Sequence, residues 1–305
     1  MFSQISTLVQ SLDDRLSTVS KFPSSFSGSI GSFVQAAANS RATTARPWIT
    51  GRARTGYHNV VSPPGPVALR IATYNIHRSR GLDGRTRPER IVRVLHAVDA
   101  DIIALQEVVG AGPKGGGHAE EIGAALGMGW VMAPTRHLRT ALFGNVVLSR
   151  FPIRHHSQHD LTWKTCEHRG VQRVDLAMED DTLHFYNVHL GTSLLERRHQ
   201  AVRLATLVHD KRVVGPKIVL GDFNEWARHL GATDVLAEKL QSIDLSKHLS
   251  GRRRTYPGIF PLLHLDHIYY EGKVEVLKVS LPRDRMALMA SDHLPLVADL
   301  KIGFD

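Results

Sequence analysis

Five places along the chain set a carboxylate, an amide or an imidazole beside an apolar run: Tyr74-Asn75-Ile76, Gln106-Glu107-Val108, Asn187-Val188-His189-Leu190, Gly221-Asp222-Phe223-Asn224 and Ser291-Asp292-His293. Polar groups at strand ends can converge on one cleft. Hard oxygen donors joined by two histidines are the set that metal-assisted hydrolysis of a phosphoester requires. Glu107 follows Ile102-Ile103-Ala104-Leu105, so a carboxylate closes an otherwise apolar strand. An ionised carboxylate there is unfavourable unless it meets a cation. Glu107 therefore reads as a Mg²⁺ ligand, the alternative being a buried ion pair with an arginine. Asn75 ends the first strand, where its amide can orient a phosphate or a metal-held water; taken singly it reads as a turn residue.

The sharpest local signal is Gly221-Asp222-Phe223-Asn224. Glycine permits close approach, Asp222 can hold the attacking water or the metal, and Asn224 can share its face and donate to a phosphate oxygen. Asp292 and His293 precede an apolar strand; Asp292 can reach a metal and His293 suits proton transfer. A histidine in that role is usually oriented by a carboxylate, and Asp266, within Leu265-Asp266-His267-Ile268, is the candidate. His189 ends its strand similarly and could stabilise charge developing on phosphoryl oxygens. Each histidine alone reads as a core or surface residue, whereas the set together does not.

The elements that must hold these groups alternate between strand and helix from Val67 onward, which argues for an α/β architecture. Strands are expected at Ala68–Tyr74, Ile102–Val108, Gly144–Ser149, Leu183–His189, Lys217–Leu220, Leu265–Tyr270, Val274–Val279 and Leu296–Ile302. A helix opens at Pro88 with Ile91, Val94, Leu95 and Val98 as its buried stripe. A second covers Ala119–Leu126 and is closed by Gly127; a third runs from Leu194 to Arg212 with its arginines outside. Some strands are apolar throughout and others alternate, a mixture satisfied by two sheets packed face to face with helices outside both.

Composition sets broader limits. The 305 residues are 42% hydrophobic, ample for a substantial core, and the one cysteine, Cys166, excludes an intrachain disulfide and reads as a small buried hydrophobe. No apolar run approaches the roughly 20 residues that span a bilayer. The net charge of +9 suggests an anionic partner. Residues 1–66 carry +4 of it, are rich in Ser, Thr, Ala and Gly, and end in Ser62-Pro63-Pro64-Gly65-Pro66. They read as a flexible basic segment with a short amphipathic helix at 3–20, ahead of a catalytic domain over 67–305. The start lacks a positively charged stretch followed by an apolar core, so a cytoplasmic monomer, with peripheral membrane association as an option, is the expectation.

In this order the motifs resemble the endonuclease/exonuclease/phosphatase superfamily, which includes pancreatic-type deoxyribonuclease, abasic-site exonucleases, neutral sphingomyelinases and inositol polyphosphate 5-phosphatases. The resemblance runs from about Leu69 to Ile302. It implies a four-layer αββα sandwich and Mg²⁺- or Mn²⁺-dependent cleavage by in-line attack of water on phosphorus. It further implies that Asn75, Glu107 and Asp292 serve the metal, that His189 contacts the scissile phosphate and that Asp222 and Asn224 position the nucleophile or leaving group. Asp266 would pair with His293. Abasic-site exonucleases carry an aspartate two residues after the Asn, where this chain has His77, which points away from DNA repair and toward a largely bacterial branch. The implied substrate is a phosphodiester of nucleic acid or anionic phospholipid. A phosphomonoesterase or a non-catalytic anion-binding module on the same scaffold are the alternatives, the latter disfavoured because none of the metal or imidazole positions is missing.

Overall fold

The computed structural model describes residues 65–113, 115–226, 231–251, 253–260 and 262–304; the segment expected to be flexible, with its helix at 3–20, lies almost wholly outside them. In chain order the elements are β1 (Val67–Asn75), α1 (Pro88–Val98), β2 (Ile102–Val109), α2 (His118–Leu126), β3 (Gly129–Leu138), β4 (Ala141–Ser149), β5 (Ile153–Asp160), β6 (Gly170–Met178), β7 (Asp181–His189), α3 (Leu194–Val208), β8 (Lys217–Asp222), α4 (Ala232–Ala237), β9 (Gln241–Ser242), α5 (Leu245–His248), β10 (Asp266–Glu271), β11 (Val274–Ser280), α6 (Arg285–Ala290) and β12 (Leu296–Ile302). Two six-stranded mixed sheets result, ordered β11-β12-β1-β2-β4-β3 and β5-β6-β7-β8-β10-β9.

The layering follows from side-chain alternation along each strand. On β1, Leu69 and Ile71 face the second sheet and join Ile102, Val147, Phe185, Ile218 and Leu220 in the central core. Ala72 and Tyr74, on the opposite face, pack under Ile91, Val94, Leu95 and Val98 of α1, Ile122 of α2 and Ala287 of α6. The second sheet repeats the scheme, with Tyr186, Val188 and Val219 beneath Ala201, Leu204 and Val208 of α3 and Leu236 of α4. The result is the four-layer αββα sandwich. Among the described residues, no helix is long and apolar enough to cross a membrane.

A polar bridge interrupts the apolar interior between the sheets. Gln106 Nε2 donates to Asn187 Oδ1 at 2.8 Å, and Asn187 Nδ2 donates to the Leu105 and Val146 carbonyls at 3.0 Å each. Both side chains are fully buried. Such a network is favourable only when satisfied, so it fixes the register of one sheet over the other directly beneath the ends of β2 and β7.

Three expectations are corrected. The third helix ends at Val208 rather than Arg212, because Asp210 Oδ1 accepts from the Arg212 backbone N–H at 3.0 Å and offers the chain a turn in place of another helical bond. Its arginines are not all outside: Arg197 is fully buried, 3.1 Å from Glu225 Oε1, and donates to the Thr192 carbonyl. Glu225 in turn accepts from the Ala232 backbone N–H at 2.6 Å, so the pair ties the start of α3 to the chain following β8. Arg197→Met removes the buried guanidinium that meets that carboxylate and should destabilise the fold by about 3–5 kcal/mol, read by urea unfolding; a change under about 1 kcal/mol would contradict the role given to the pair. Cys166, expected to be buried, is only partly so.

Candidate active site

Sheet register gathers the polar signatures at one end of the sandwich. Parallel pairing of β1 with β2 sets Asn75 beside Gln106, and parallel pairing of β7 with β8 sets His189 beside Asp222. Antiparallel β10 starts where β8 finishes, so Asp266 lies opposite Asp222. Antiparallel β12 starts where β1 finishes, Leu296 opposite Thr73, which carries the preceding Asp292-His293 to the same end. Glu107 needs a further device. The pairing of β2 with β4 shifts register between Leu105 and Val108, and Glu107 adopts φ 57 in this bulge. A bulge re-aims a side chain, and a left-handed backbone in a non-glycine residue is strain of the kind concentrated at functional sites.

Asn75 sits at the centre of the arrangement. Its Nδ2 donates to Asp222 Oδ2 at 2.9 Å and to Glu107 Oε1 at 3.3 Å, joining carboxylates from the two sheets. Asp222 Oδ2 also lies 3.6 Å from His189 Nε2 and 3.6 Å from His293 Nε2. Asp222 Oδ1 is held by the Asn224 backbone N–H at 2.8 Å. Gly221, at φ 149, permits this: a Cβ there would come within 1.9 Å of the Val188 carbonyl oxygen. Asn224 Nδ2 gives one of its two hydrogens to the Leu190 carbonyl at 2.9 Å and so anchors the loop after β7.

The two histidines are wired differently. Arg169 Nη1 is 3.0 Å from His189 Nδ1, and a guanidinium only donates, so Nδ1 accepts and Nε2 carries the proton. Burial, then the charges of Arg169 and His293, hold His189 well below the ordinary histidine range, so it is a neutral donor. Arg169 is itself held by Glu167 at 2.7 Å, which also receives Arg136 at 2.7 Å. His293 Nδ1 lies 2.9 Å from Asp266 Oδ2. Burial acts to lower this imidazole, but Asp266 and Asp222 outweigh it and lift it to about 10, so His293 is a cation at neutral pH. Burial pushes the Asp222 carboxyl up to about 6, against the pull of His293 and with Asp266 adding to the rise.

In metal-free protein at pH 8, imidazole ¹⁵N spectra should therefore show a doubly protonated His293 beside a neutral Nε2–H His189; a neutral His293 would contradict this wiring. The linkage signs are opposite. His293, raised, contributes stability below its unfolded value near 6.5 that is lost as pH climbs toward about 10. His189, lowered, has its stability intact above about 6.5 and loses it as pH falls below that value.

Asp292 completes the rim. Its Oδ1 is 3.3 Å from His77 Nδ1, while Arg78 donates to His77 Nε2, so His77 presents Nδ1–H to the carboxylate. Burial acts to raise Asp292, and the hydrogen bond from His77 with the charge of His293 overcomes it, holding the carboxyl at about 2. Ser291 Oγ donates to the Asn75 carbonyl at 2.8 Å and thereby fixes the Asp292-His293 turn to the end of β1.

Two places have donors suited to a cation. Asp222, Asp266 and His293 offer atoms within 4.8 Å of one another. That trio is dry, with Asp222 1% and Asp266 0% exposed, and its carboxylates are already neutralised by the His293 cation. Glu107, hydrogen-bonded to the Asn75 amide, and Asp292, whose neighbour Ser291 is hydrogen-bonded to the Asn75 carbonyl, are oxygen donors only, and their side chains are 24% and 25% open to solvent. A hard divalent cation fits this second group better, because it can enter there and the groups facing these carboxylates, His77 and Arg78, are themselves partly open to solvent.

Sequence reasoning missed Arg136, Glu167, His77, Arg78 and Tyr256, whose ring stands 4.9 Å from that of His293. In the sequence, His168-Arg169-Gly170 marks Arg169 as a possible phosphate contact at most. Their signals are weak because Arg136 sits beside a register shift in edge strand β3, the others lie outside the strands, and the partners of Arg136, His77 and Tyr256 are distant in sequence.

Comparison with known proteins places this geometry. The sequence pattern of the Endonuclease/Exonuclease/phosphatase family matches residues 72–293. The uncharacterized protein YbhP of Escherichia coli (strain K12) is 30% identical over 248 residues, covering 77% of this chain and 97% of its own. The structure of an endonuclease/exonuclease/phosphatase from Bacteroides vulgatus aligns with a TM-score of 0.66 at 18% identity, over 77% of this chain and 99% of that one. The mannosyl-6-phosphatase of Bacteroides thetaiotaomicron VPI-5482 aligns with a TM-score of 0.60 at 19% identity, over 76% of this chain and 99% of that one. The two structures speak to the fold and YbhP to descent. With the matched span running from β1 to His293, the chain belongs to the Endonuclease/Exonuclease/phosphatase family.

Proposed function

We propose that the protein is a divalent-metal-dependent phosphodiesterase that cleaves a P–O bond by in-line attack of water. The observation that carries this reading is the convergence of Asn75, His189 and His293 on Asp222 Oδ2, with Glu107 hydrogen-bonded to the same Asn75 amide. Glu107, Asn75 and Asp292 would hold Mg²⁺ or Mn²⁺. When bound, that cation supplies Lewis-acid neutralisation of charge on the phosphoryl oxygens.

The other steps belong to the chain. Asp222, its proton affinity raised by burial, takes a proton from the attacking water, and the Asn224 backbone N–H keeps that carboxylate aimed. Neutral His189 donates Nε2–H to a phosphoryl oxygen, and Arg169 behind it fixes the tautomer. The bond from phosphorus to the leaving oxygen breaks, and the His293 cation supplies the proton that this oxygen needs. Asp266 holds His293 in place and keeps it charged.

Nucleic acid and anionic phospholipid are both phosphodiesters that such a cleft can address. The test is a panel of plasmid DNA, RNA, a chromogenic phosphodiester, its monoester counterpart, sphingomyelin and phosphoinositides, each with Mg²⁺ and with chelator. Turnover of a diester that needs the cation is expected; turnover of the monoester alone would replace this reading with that of a phosphomonoesterase.

A further inference from the structure

From Leu249 to His264 the chain carries three arginines, Arg252, Arg253 and Arg254, and no acidic residue, followed by Pro257-Gly258-Ile259-Phe260-Pro261-Leu262-Leu263. Ile259, Phe260 and Leu262 are 58%, 67% and 45% exposed. Large apolar side chains scattered singly over a surface are ordinary, but three within four residues form a patch that calls for a partner. The loop is closed at its base: the Leu262 and Leu263 backbone N–H groups both donate to the Tyr256 carbonyl at 2.8 Å, and the Tyr256 N–H donates back to Leu263 at 3.0 Å. It is also stitched to the catalytic turn. The Gly258 N–H donates to the Asp292 carbonyl at 2.6 Å, the Leu294 N–H donates to the Thr255 carbonyl at 2.9 Å, and the Tyr256 ring lies 4.9 Å from that of His293. The apolar tip is thus held outward by a fixed base, immediately beside His293, with exposed Arg253 and Arg254 at its foot.

We propose that the 257–262 loop is a docking tip that seats the active-site cleft on an anionic phospholipid surface, Ile259 and Phe260 entering the headgroup–acyl boundary while the arginines meet lipid phosphates. Apolar side chains backed by cations are what an anionic bilayer interface accepts, and the absence of acids along the segment removes the repulsion that would oppose approach. The inference rests on the reading of the cleft as a phosphodiesterase and narrows it: the phosphodiester reaching His293 is a lipid headgroup linkage at the membrane surface.

The test is co-sedimentation of the full chain with vesicles of phosphatidylcholine mixed with phosphatidylglycerol, comparing wild type with the double variant Ile259→Ser/Phe260→Ser. Leu277→Ser, a substitution at a 50% exposed leucine on β11, is the control. The basic segment 1–66 is present in all three, so differences report the loop. Wild type and Leu277→Ser should bind alike, the double variant about tenfold or more weaker, and turnover of a soluble chromogenic diester should stay within about twofold in all three. Wild-type protein that ignores the vesicles, or a double variant that binds them as wild type does, overturns the proposal. So does a double variant that keeps vesicle binding and loses a single-stranded oligonucleotide, which would make Phe260 a base-stacking platform. Binding requires no turnover, so vesicle binding without hydrolysis of any diester would sink the enzymatic reading alone, and hydrolysis of soluble diester without vesicle binding would sink the docking alone.

Discussion

His293→Ala, assayed at a temperature where the variant is still folded by circular dichroism, is expected to lower turnover of a chromogenic phosphodiester by about 10²-fold or more. The substitution removes a buried cation placed 3.6 Å from Asp222 and 2.9 Å from Asp266, and with it the proton for the leaving oxygen. Asp266→Asn provides the companion measurement. It leaves a neutral acceptor near Nδ1 but removes the charge that lifts His293 to about 10, so the basic limb of the pH–rate profile should move toward the ordinary histidine value. The sign follows from the role: His293 acts while protonated, so lowering its proton affinity costs activity first on the alkaline side. A loss under tenfold in His293→Ala, or an unmoved alkaline limb in Asp266→Asn, would contradict the assignment.

Glu107→Gln should also cost about 10²-fold or more in turnover at the Mg²⁺ concentration that just saturates wild type, for a different reason. The bulge at Gln106-Glu107 and the left-handed backbone of Glu107 present the carboxylate to the open side of the cleft, where Asn75 holds Oε1 at 3.3 Å and Arg78 approaches Oε2 to 4.0 Å. Glutamine keeps the shape and the Asn75 contact but removes the charge that a divalent cation needs. Part of the loss should be recovered by raising the metal concentration, whereas the His293→Ala defect should be indifferent to it. Identical metal dependence in the two variants would argue that Glu107 serves the fold alone.

Turn geometry beside the site is unusual. His77, Arg78 and Ser79 follow Asn75 with φ of 43, 60 and 56, and residues other than glycine enter that region at a penalty. The turn is held by the His77 N–H on Asn75 Oδ1 at 3.0 Å and by buried Ser79, whose Oγ meets His118 Nδ1 at 3.1 Å. It positions His77 against Asp292. The residue that distinguishes this chain from abasic-site exonucleases therefore orients a carboxylate of the site.

Much of this architecture was legible in the sequence, and the parts that were not have separate physical causes. β12 matches its expected span, Leu296–Ile302, and α1 shows its expected stripe, because period and burial agree there. β3, β5, β6 and the two-residue β9 went unread: β3, β5 and β9 are edge strands, β5 carrying His155, His156 and His159 and β3 holding Pro134 beside a register shift, while interior β6 places Gln172, Arg173 and Asp175 among its apolar positions. The end of α3 was overrun because a local Asp210 turn wins over continued helix. At the site, Asp266 could be nominated for His293 since a lone acid in an apolar strand demands a partner. Arg197 could not be recognised as buried, since its counter-charge Glu225 is 28 positions away on another element. The bulge that aims Glu107 leaves no mark in residue types at all.

The most direct test of the central claim is a calorimetric titration of wild-type protein and Glu107→Gln with Mn²⁺ at fixed neutral pH. Wild type should bind the cation and Glu107→Gln should bind it at least about tenfold more weakly, since the open carboxylate of β2 is the charge that draws it in. Equal affinity in the two proteins, or no heat with wild type, would contradict the account.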